Sequence, residues 1–139
     1  MLNNIQLIMK KHHLYKNNIS VILFPKGGNN MLNQSILVGR IVKEPEVRET
    51  ENGTKVTNLT LAVQRSYKNV EGEYDTDFIS CVLWKGIAET TAEYCKKGDL
   101  IGVRGRLQNR PLVNAEDTKL NSVEVVAERV TFLSSKKQD

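Results

Sequence analysis

A single helical segment lies inside an otherwise β-rich chain, and its position restricts how the chain can fold. In the stretch GIAETTAEYCKKG (86–98), Ala88, Ala92 and Cys95 recur at the i, i+4 and i+7 spacing of one helix face. The Lys-Lys-Gly at its end is a typical C-terminal helix signal. Stretches rich in β-branched and other apolar residues flank this helix, three before it and two after it: 35–42, 55–65, 77–84, 100–107 and 122–133.

The order of these segments predicts a small barrel. Pro45 and the pair Asn52-Gly53 interrupt the chain between the first two strands, as expected for a connection that contains a turn. The polar stretch SYKNVEGEYDT (66–76) predicts a hairpin loop between the second and third strands. A helix between the third and fourth of five strands is typical of the OB-fold, a five-stranded Greek-key barrel that often binds oligonucleotides. We therefore predict an all-β domain with one helix and the OB-fold topology, although periodicity alone leaves other small barrels open.

The predicted third strand is apolar on both faces. Because successive strand side chains alternate between faces, Ile79, Cys81 and Leu83 point to one side, which suffices for a core. The other face carries Phe78, Ser80, Val82 and Trp84. One explanation is that protein covers both faces. The alternative is that the two rings stay exposed as platforms for unstacked bases, since base–aromatic stacking contributes about 1–3 kcal/mol per base.

The predicted fourth strand carries two cations on one face. In LIGVRGRL, Arg104 and Arg106 share a face, and the apolar side chains share the other: Ile101, Val103 and Leu107. Such arginines usually face solvent, or they pair with nearby acids such as Glu124 or Glu128. Beside an exposed aromatic strand they also suit a phosphate backbone that passes stacked bases. We expect five further basic side chains to extend this phosphate-binding surface: Arg40, Arg65, Lys68, Lys85 and Arg110.

Positive charge is concentrated before Met31. The chain has a formal net charge of +4. The lysines at 10, 11, 16 and 26 account for four of its 20 basic residues, and the other 16 balance the 16 acidic residues. Net charge is therefore no evidence for an anionic partner, and only the placement of the cations can be.

The stretch KGGNNM (26–31) suggests where the domain starts. Lys-Gly-Gly can be encoded AAA-GGA-GGN, a purine run of the kind that bacterial ribosomes pair with before a start codon, and Met31 follows at a suitable spacing. A flexible glycine linker is the plainer explanation. We expect residues 1–30 to be translated upstream sequence or a disordered extension, residues 31–134 to form the domain, and 135–139 to be a short end. The apolar run at 19–24 is shorter than the roughly 7–15 residues of a signal-peptide core, so we expect a cytoplasmic protein and no membrane partner.

The side chains that catalysis or metal binding needs are not grouped in the sequence. Cys81 and Cys95 lie far apart without a CxxC motif, and His12 and His13 both precede Met31. A zinc site, a disulfide framework and a histidine-based triad therefore lack their parts, and we expect both cysteines to be small buried residues. The acidic residues are scattered, whereas a metal-dependent nuclease needs them clustered. We expect no enzymatic activity, no metal and no cofactor.

A series of short motifs, in order, resembles a known family. MLNQSILVGRI, EPEVR followed by NG, VTNLTLAV, VLW, AEYCKKGD, GRLQNR and EVVAERVTFL occur in sequence between Met31 and Leu133. Over this range the chain resembles the bacterial and phage single-stranded DNA-binding proteins (SSB). The resemblance implies sequence-tolerant binding of single-stranded DNA in replication, recombination and repair, in association with the nucleoid. It also implies a homotetramer, with a homodimer as the alternative.

The resemblance implies four places at which bases stack. Tyr67 takes the one in the hairpin, Phe78 the one at the start of the third strand, and Trp84 the one at its end. The fourth follows GRLQNR, where the family usually has an aromatic residue and this chain has Leu112. Leucine can make an apolar contact with a base but offers no ring face.

The C-terminal end differs from the family pattern. Family members commonly continue into a disordered tail whose acidic, apolar tip docks replication and repair enzymes, whereas this chain ends in SSKKQD. We therefore expect no docking through an acidic tip. The alternative function is that of a primosome-type OB-fold interaction protein, which would combine binding of single-stranded DNA with binding of proteins.

Overall fold

The computed structural model describes residues 31–110 and 122–136. The expectations for residues 1–30, for Leu112 and for residues 137–139 lie outside these ranges. The chain forms six strands and one helix in the described ranges, all within one compact unit that begins at Asn33. In chain order they are β1 (Ser35–Ile41), β2 (Arg48–Glu49), β3 (Lys55–Lys68), β4 (Tyr74–Trp84), α1 (Lys85–Tyr94), β5 (Leu100–Arg110) and β6 (Ser122–Ser134).

The five longer strands close into a barrel. They lie in the order β1-β5-β6-β4-β3, and β1 pairs back with β3 at Arg40–Ala62 and Ile41–Leu61. The β4–β6 pair is parallel, and the other pairs are antiparallel. The helix α1 lies between the third and fourth of these five strands, which confirms the predicted OB-fold topology. The short β2, which pairs with the start of β3, was not predicted from the sequence.

The core is built from the alternate residues that the sequence pattern indicated. Leu59 and Leu61 of β3 and Leu83 of β4 are at most 3% exposed. They join one cluster with eight further residues: Ile41, Cys81, Ala88, Cys95, Ile101, Val103, Val125 and Ala127. Both cysteines are buried and free, as expected. This cluster is apolar, so polar recognition has to use the outer faces of the strands.

Leu107 shares its face of β5 with Ile101 and Val103, as the sequence pattern indicated, but unlike them it is not buried. Its side chain is 49% exposed. The reason is that the last β1 partner of β5 is Ser35, opposite Gly105, so β1 does not extend alongside Leu107. The amide side chain of Asn33 replaces the missing strand, because it donates to the Leu107 carbonyl at 2.7 Å and accepts from the Leu107 N–H at 2.8 Å.

The hairpin between β3 and β4 has a shorter loop than the polar stretch 66–76 predicted. β3 continues to Lys68 and β4 already begins at Tyr74. Asn69 and Gly72 make this tight connection: the Asn69 side-chain oxygen accepts two backbone N–H bonds at 3.0 Å, and Gly72 has a φ of 82° that favours glycine. Both ends of the polar stretch 66–76 therefore belong to a two-stranded arm, and only the residues from Asn69 to Glu73 form the loop.

Candidate nucleic-acid interface

The outer face of β4 carries three aromatic side chains. Tyr74, Phe78 and Trp84 occupy even-numbered positions, while the odd-numbered Cys81 and Leu83 point into the core. Their exposed fractions are 48%, 67% and 39% respectively. All three rings are thus accessible to a ligand on the same side of one strand.

Between the exposed rings, the outer face of β4 is covered. Val82 is 5% exposed, and its partner in the parallel β4–β6 pair is Val126, which is also 5% exposed. Both explanations drawn from the sequence therefore apply to this strand, at different positions. Protein covers both faces at Val82, whereas Phe78 and Trp84 remain open on either side of it.

The cations of β5 lie on this same outer face. Arg106 pairs with Val126 in the β5–β6 register, and Val126 pairs with Val82, so a continuous row runs from Arg106 to the outer face of β4. Arg104 lies two residues before Arg106 on β5, opposite Arg129 of β6. Like charges directly opposite each other are unfavourable on a sheet, so an anion bound between these two arginines would relieve their repulsion.

The two arginines of β5 differ in their contacts with acids. Arg106 Nη1 is 3.8 Å from Glu128 Oε1, and both side chains are nearly half exposed. In the described ranges, Arg104 has no carboxylate within ion-pair distance. Exposed ion pairs contribute about 0–1 kcal/mol, so the Glu128 contact leaves Arg106 able to exchange its partner for a phosphate.

Arg40 lies on the other side of the aromatic face. It pairs with Ala62 of β3, and Ala62 pairs in turn with Phe78 of β4, so the three side chains form one row across three strands. The Arg40 Nη1 atom donates to the Gly98 carbonyl oxygen at 3.0 Å. Ala62, which lies between Arg40 and the exposed Phe78 ring, has a small side chain. It therefore leaves open surface above the sheet between the cation and the ring.

Arg65 is bound by carboxylates of the neighbouring strand. Its Nε and Nη2 atoms donate to Asp77 Oδ2 and Oδ1 at 2.9 and 2.8 Å, and Asp75 lies 3.7 Å from Nη1. The hydrogen bonds from Arg65 lower the pKa of Asp77, and the bonds to Asp77 raise the pKa of Arg65. Both groups are therefore charged at neutral pH, as a bidentate pair.

Tyr67 is in contact with Arg65, apart from the other predicted platforms. The Arg65 guanidinium lies 6.0 Å from the Tyr67 ring centroid, and its Nη1 atom is 3.5 Å from the Tyr67 hydroxyl. Asp77, which binds the same guanidinium, occupies an odd position of β4 and so points away from the face of Phe78. The structure brings Phe78 and Trp84 onto one face, and it groups Tyr67 with Arg65 on the other side of the hairpin.

Three further predicted cations lie at the ends of these strands. Lys68 pairs with Tyr74, and its Nζ atom lies 5.6 Å from the Tyr74 ring centroid. Lys85 follows Trp84 directly and has a φ of 56°, which is uncommon for a residue other than glycine. Arg110, at the end of β5, is exposed.

Comparison with known proteins assigns the chain to a family. The model of the single-strand binding protein family matches residues 32–133. The chain belongs to the single-strand binding protein family. Its relatives include the single-stranded DNA-binding protein B of Bacillus subtilis, which is 46% identical over 109 residues that cover 78% of this chain and 96% of that protein.

Other relatives in this family are longer. The single-stranded DNA-binding protein of Halalkalibacterium halodurans is 50% identical over 103 residues, which cover 74% of this chain and 61% of that protein. The single-stranded DNA-binding protein A of Bacillus subtilis is 49% identical over 106 residues, 76% of this chain and 62% of that protein. The chain thus spans about three fifths of these two relatives.

Membership of the single-strand binding protein family confirms the resemblance found in the sequence motifs. It is a family of binding proteins, which agrees with the expectation that the chain is not an enzyme. Over the described residues, no group of three or more His, Cys, Asp or Glu side chains is arranged to hold a metal ion. A search of the same residues for a helix long and apolar enough to cross a membrane found none.

Sequence reasoning missed two side chains of the outer surface. Tyr74 was assigned to a loop, although the alternation that identified Phe78 reaches it when continued by four residues towards the N-terminus. Arg129 was overlooked because its position opposite Arg104 depends on the β5–β6 register. That register shifts between Arg104 and Gly105, and no pattern in the sequence shows the shift.

Proposed function

We propose that this chain binds single-stranded DNA without sequence preference, and so protects and organises single strands in replication, recombination and repair. The observation that carries the proposal is the exposure of Phe78 and Trp84 on one face of β4, beside the arginines of β5 on the same face. Aromatic rings stack on any base, and the arginines suit the phosphates between bases. The names of the relatives in the family agree with this function.

The binding path that we propose runs over the outer faces of β4 and β5. Bases stack on Phe78 and Trp84, and Leu112, which lies outside the described residues, adds an apolar contact. Tyr67 stacks a base as well, and because it lies with Arg65 on the other side of the β3–β4 hairpin, the DNA has to pass around the hairpin to reach it. The domain that carries these contacts is residues 31–134.

Phosphate contacts provide the second part of the proposed mechanism. We assign them to Arg104 and Arg106 at the centre and to Arg40, Arg65, Lys68, Lys85 and Arg110 around them. Each phosphate that a cation neutralises on a single strand contributes roughly −0.7 to the slope of log affinity against log salt. Because residues 31–139 have as many acidic as basic side chains, this slope comes from local contacts rather than from the total charge.

We also propose that the protein works as a homotetramer in the cytoplasm, associated with the nucleoid, with a homodimer as the alternative assembly. Two apolar side chains on the outer face of β1 support association: Ile36 is 72% exposed and Val38 is 50% exposed. An apolar surface of this kind is commonly covered by a second protein chain. Sedimentation of the free protein would give the number of chains directly.

Alanine substitutions at the two rings test the proposed function. Phe78→Ala and Trp84→Ala should each weaken binding of oligo-dT by roughly 1–3 kcal/mol, because each removes one stacking surface. The matched control is Phe132→Ala, because Phe132 is also an exposed phenylalanine, with an exposed fraction of 48%. Its partner on β5 is Ile101, so its side chain lies on the face of the sheet opposite to Arg104. Fluorescence anisotropy of labelled oligo-dT measures the affinities, and equal losses in all three variants would contradict the proposed site.

A further inference from the structure

We infer that Tyr74 is an additional base-stacking platform, which extends the single-stranded DNA site from the barrel onto the β3–β4 hairpin. This inference rests on the proposed function, because it concerns the same ligand. Neither the motifs nor the family resemblance assigned a role to Tyr74.

The position of Tyr74 on β4 places its ring on the same face as the other two, beyond a shift of the β3–β4 register between Gln64 and Lys68. It shares the outer face with Phe78 and Trp84, and its exposed fraction of 48% is larger than that of Trp84. At a rise of about 3.3 Å per residue, Phe78 and Trp84 are separated by roughly 20 Å along the strand, and Tyr74 adds about 13 Å beyond Phe78. A strand of DNA that crosses the first two rings therefore meets the third if it continues in the same direction.

The charges around Tyr74 favour a phosphate backbone on this face. The Lys68 ammonium lies 5.6 Å from the ring centroid, where it can contact a phosphate next to a stacked base. The neighbouring acids Asp75 and Asp77 occupy odd positions of β4 and point to the opposite side, where Arg65 binds both. Their negative charge is thus turned away from the platform and partly neutralised.

The loop beyond the ring defines where this extension ends. Glu71 and Glu73 are exposed acids of the hairpin tip. They repel a phosphate backbone, so on the outer face of β4 Tyr74 is the last favourable stacking position before the tip.

The hairpin that presents Tyr74 is held in place before any ligand arrives. The Asn69 Nδ2 atom donates to Asp75 at 3.1 Å, and the Asn69 side-chain oxygen accepts from the N–H groups of Glu71 and Glu73. The Arg65–Asp77 pair joins β3 to β4 two residues further along the arm. A platform on an ordered arm loses little conformational freedom on binding, which favours affinity.

Substitutions at Tyr74 separate stacking from other contributions. Tyr74→Ala should weaken binding of a long oligo-dT about fivefold, which is the lower end of the range for one stacked base. We expect the lower end because the Lys68 ammonium already lies beside the ring in the free protein. Tyr74→Phe keeps the ring and should bind like the wild type, whereas Tyr74→Leu keeps only apolar bulk and should resemble the alanine variant. Tyr94→Ala is the matched control, since Tyr94 is a 69% exposed tyrosine on α1.

The same titrations distinguish this inference from the proposed function. If the wild type fails to bind oligo-dT, the proposed function is wrong. If the wild type binds and Phe78→Ala weakens it, but Tyr74→Ala stays within twofold of the wild type or Tyr74→Leu binds normally, only the role of Tyr74 is overturned. Thermal unfolding of each variant checks that the fold is retained, and Lys68→Ala should make the salt dependence shallower while the effect of Tyr74→Ala persists.

Discussion

The arginines of the proposed binding surface differ, residue by residue, in what they already contact. Arg65 is held by two carboxylates, Arg106 is near one, and Arg104 faces another arginine. A phosphate has to displace Asp77 from Arg65, whereas at Arg104 it relieves a like-charge contact. Arginines with equal charge should therefore contribute unequally to DNA binding.

Releasing Arg65 from its partner tests this difference. Asp77→Asn removes the negative charge that occupies the guanidinium, so binding of oligo-dT should become tighter at low salt. The slope of log affinity against log salt should also become steeper by about 0.7 if the freed cation meets one phosphate. The matched control is Glu89→Gln, which breaks the 2.7 Å pair of Glu89 with Lys55 and should leave both quantities unchanged. An unchanged slope in Asp77→Asn would show that Arg65 does not reach the DNA even when free.

These titrations should be performed near neutral pH, where the Arg65–Asp77 pair is intact. The pair lowers the pKa of Asp77 from its ordinary value of 3.8. The stabilisation that it provides is therefore present above about pH 4 and is lost as the pH falls through the lowered value.

The buried thiol of Cys81 gives the folded state a separate dependence on alkaline pH. Burial raises the pKa of this thiol from 9.0 to about 11. A raised pKa means that the stabilisation is complete below about pH 9 and is lost as the pH rises towards 11. The difference in free energy of unfolding between the wild type and Cys81→Ala should therefore shrink over this interval in urea titrations. A difference that stays constant to pH 11 would show that the thiolate forms equally easily in both states.

At the scale of the elements, the barrel depends on close approaches between strands. A Cβ atom on Gly39 would lie 2.7 Å from the Ala62 carbonyl oxygen, next to the pairs that join β1 to β3. A Cβ atom on Gly105 would meet the Val126 carbonyl oxygen at the irregular register of β5 and β6. In both places the neighbour is backbone, so neither contact can be relieved by a change of side-chain rotamer.

Two glycine substitutions with opposite expected effects test the closure of the barrel. Gly39→Ala should destabilise the fold by about 1–3 kcal/mol, the usual effect of overpacking. Gly86→Ala, in α1, meets nothing within 4 Å and should leave stability unchanged or raise it by up to about 1 kcal/mol. Urea unfolding of the two variants measures both values. Equal stabilities would mean that β1 and β3 are not in close contact at Gly39.

The elements also show which parts of the fold the sequence could predict. The alternation in 77–84 correctly assigned Cys81 and Leu83 to the core and Phe78 and Trp84 to the opposite face, but it left open whether protein covers that face. Alternation could not show that Leu107 is exposed while Ile101 and Val103 on the same face are buried, because this depends on where the neighbouring strand β1 ends. The sequence also did not show that Arg65 binds Asp77. The two residues are 12 positions apart, and only the β3–β4 register brings them together.

For the molecule as a whole, we propose that single-stranded DNA crosses an exposed aromatic face of a small barrel whose formal charge is balanced from residue 31 onward. Affinity then depends on stacking and on a few local cations rather than on general attraction, because long-range steering needs a net charge. Duplex DNA, in which the bases already stack on each other, should bind much more weakly than a single strand.

Intrinsic fluorescence can report on DNA at this aromatic face, because Trp84 is the only tryptophan of the chain. Emission excited at the red edge of the tryptophan band reports on that one ring, and stacking on a base should quench it. We expect quenching that saturates as oligo-dT is added and hardly appears with a duplex of the same length. Emission that stays unchanged while anisotropy shows the oligo-dT to be fully bound would contradict this proposal.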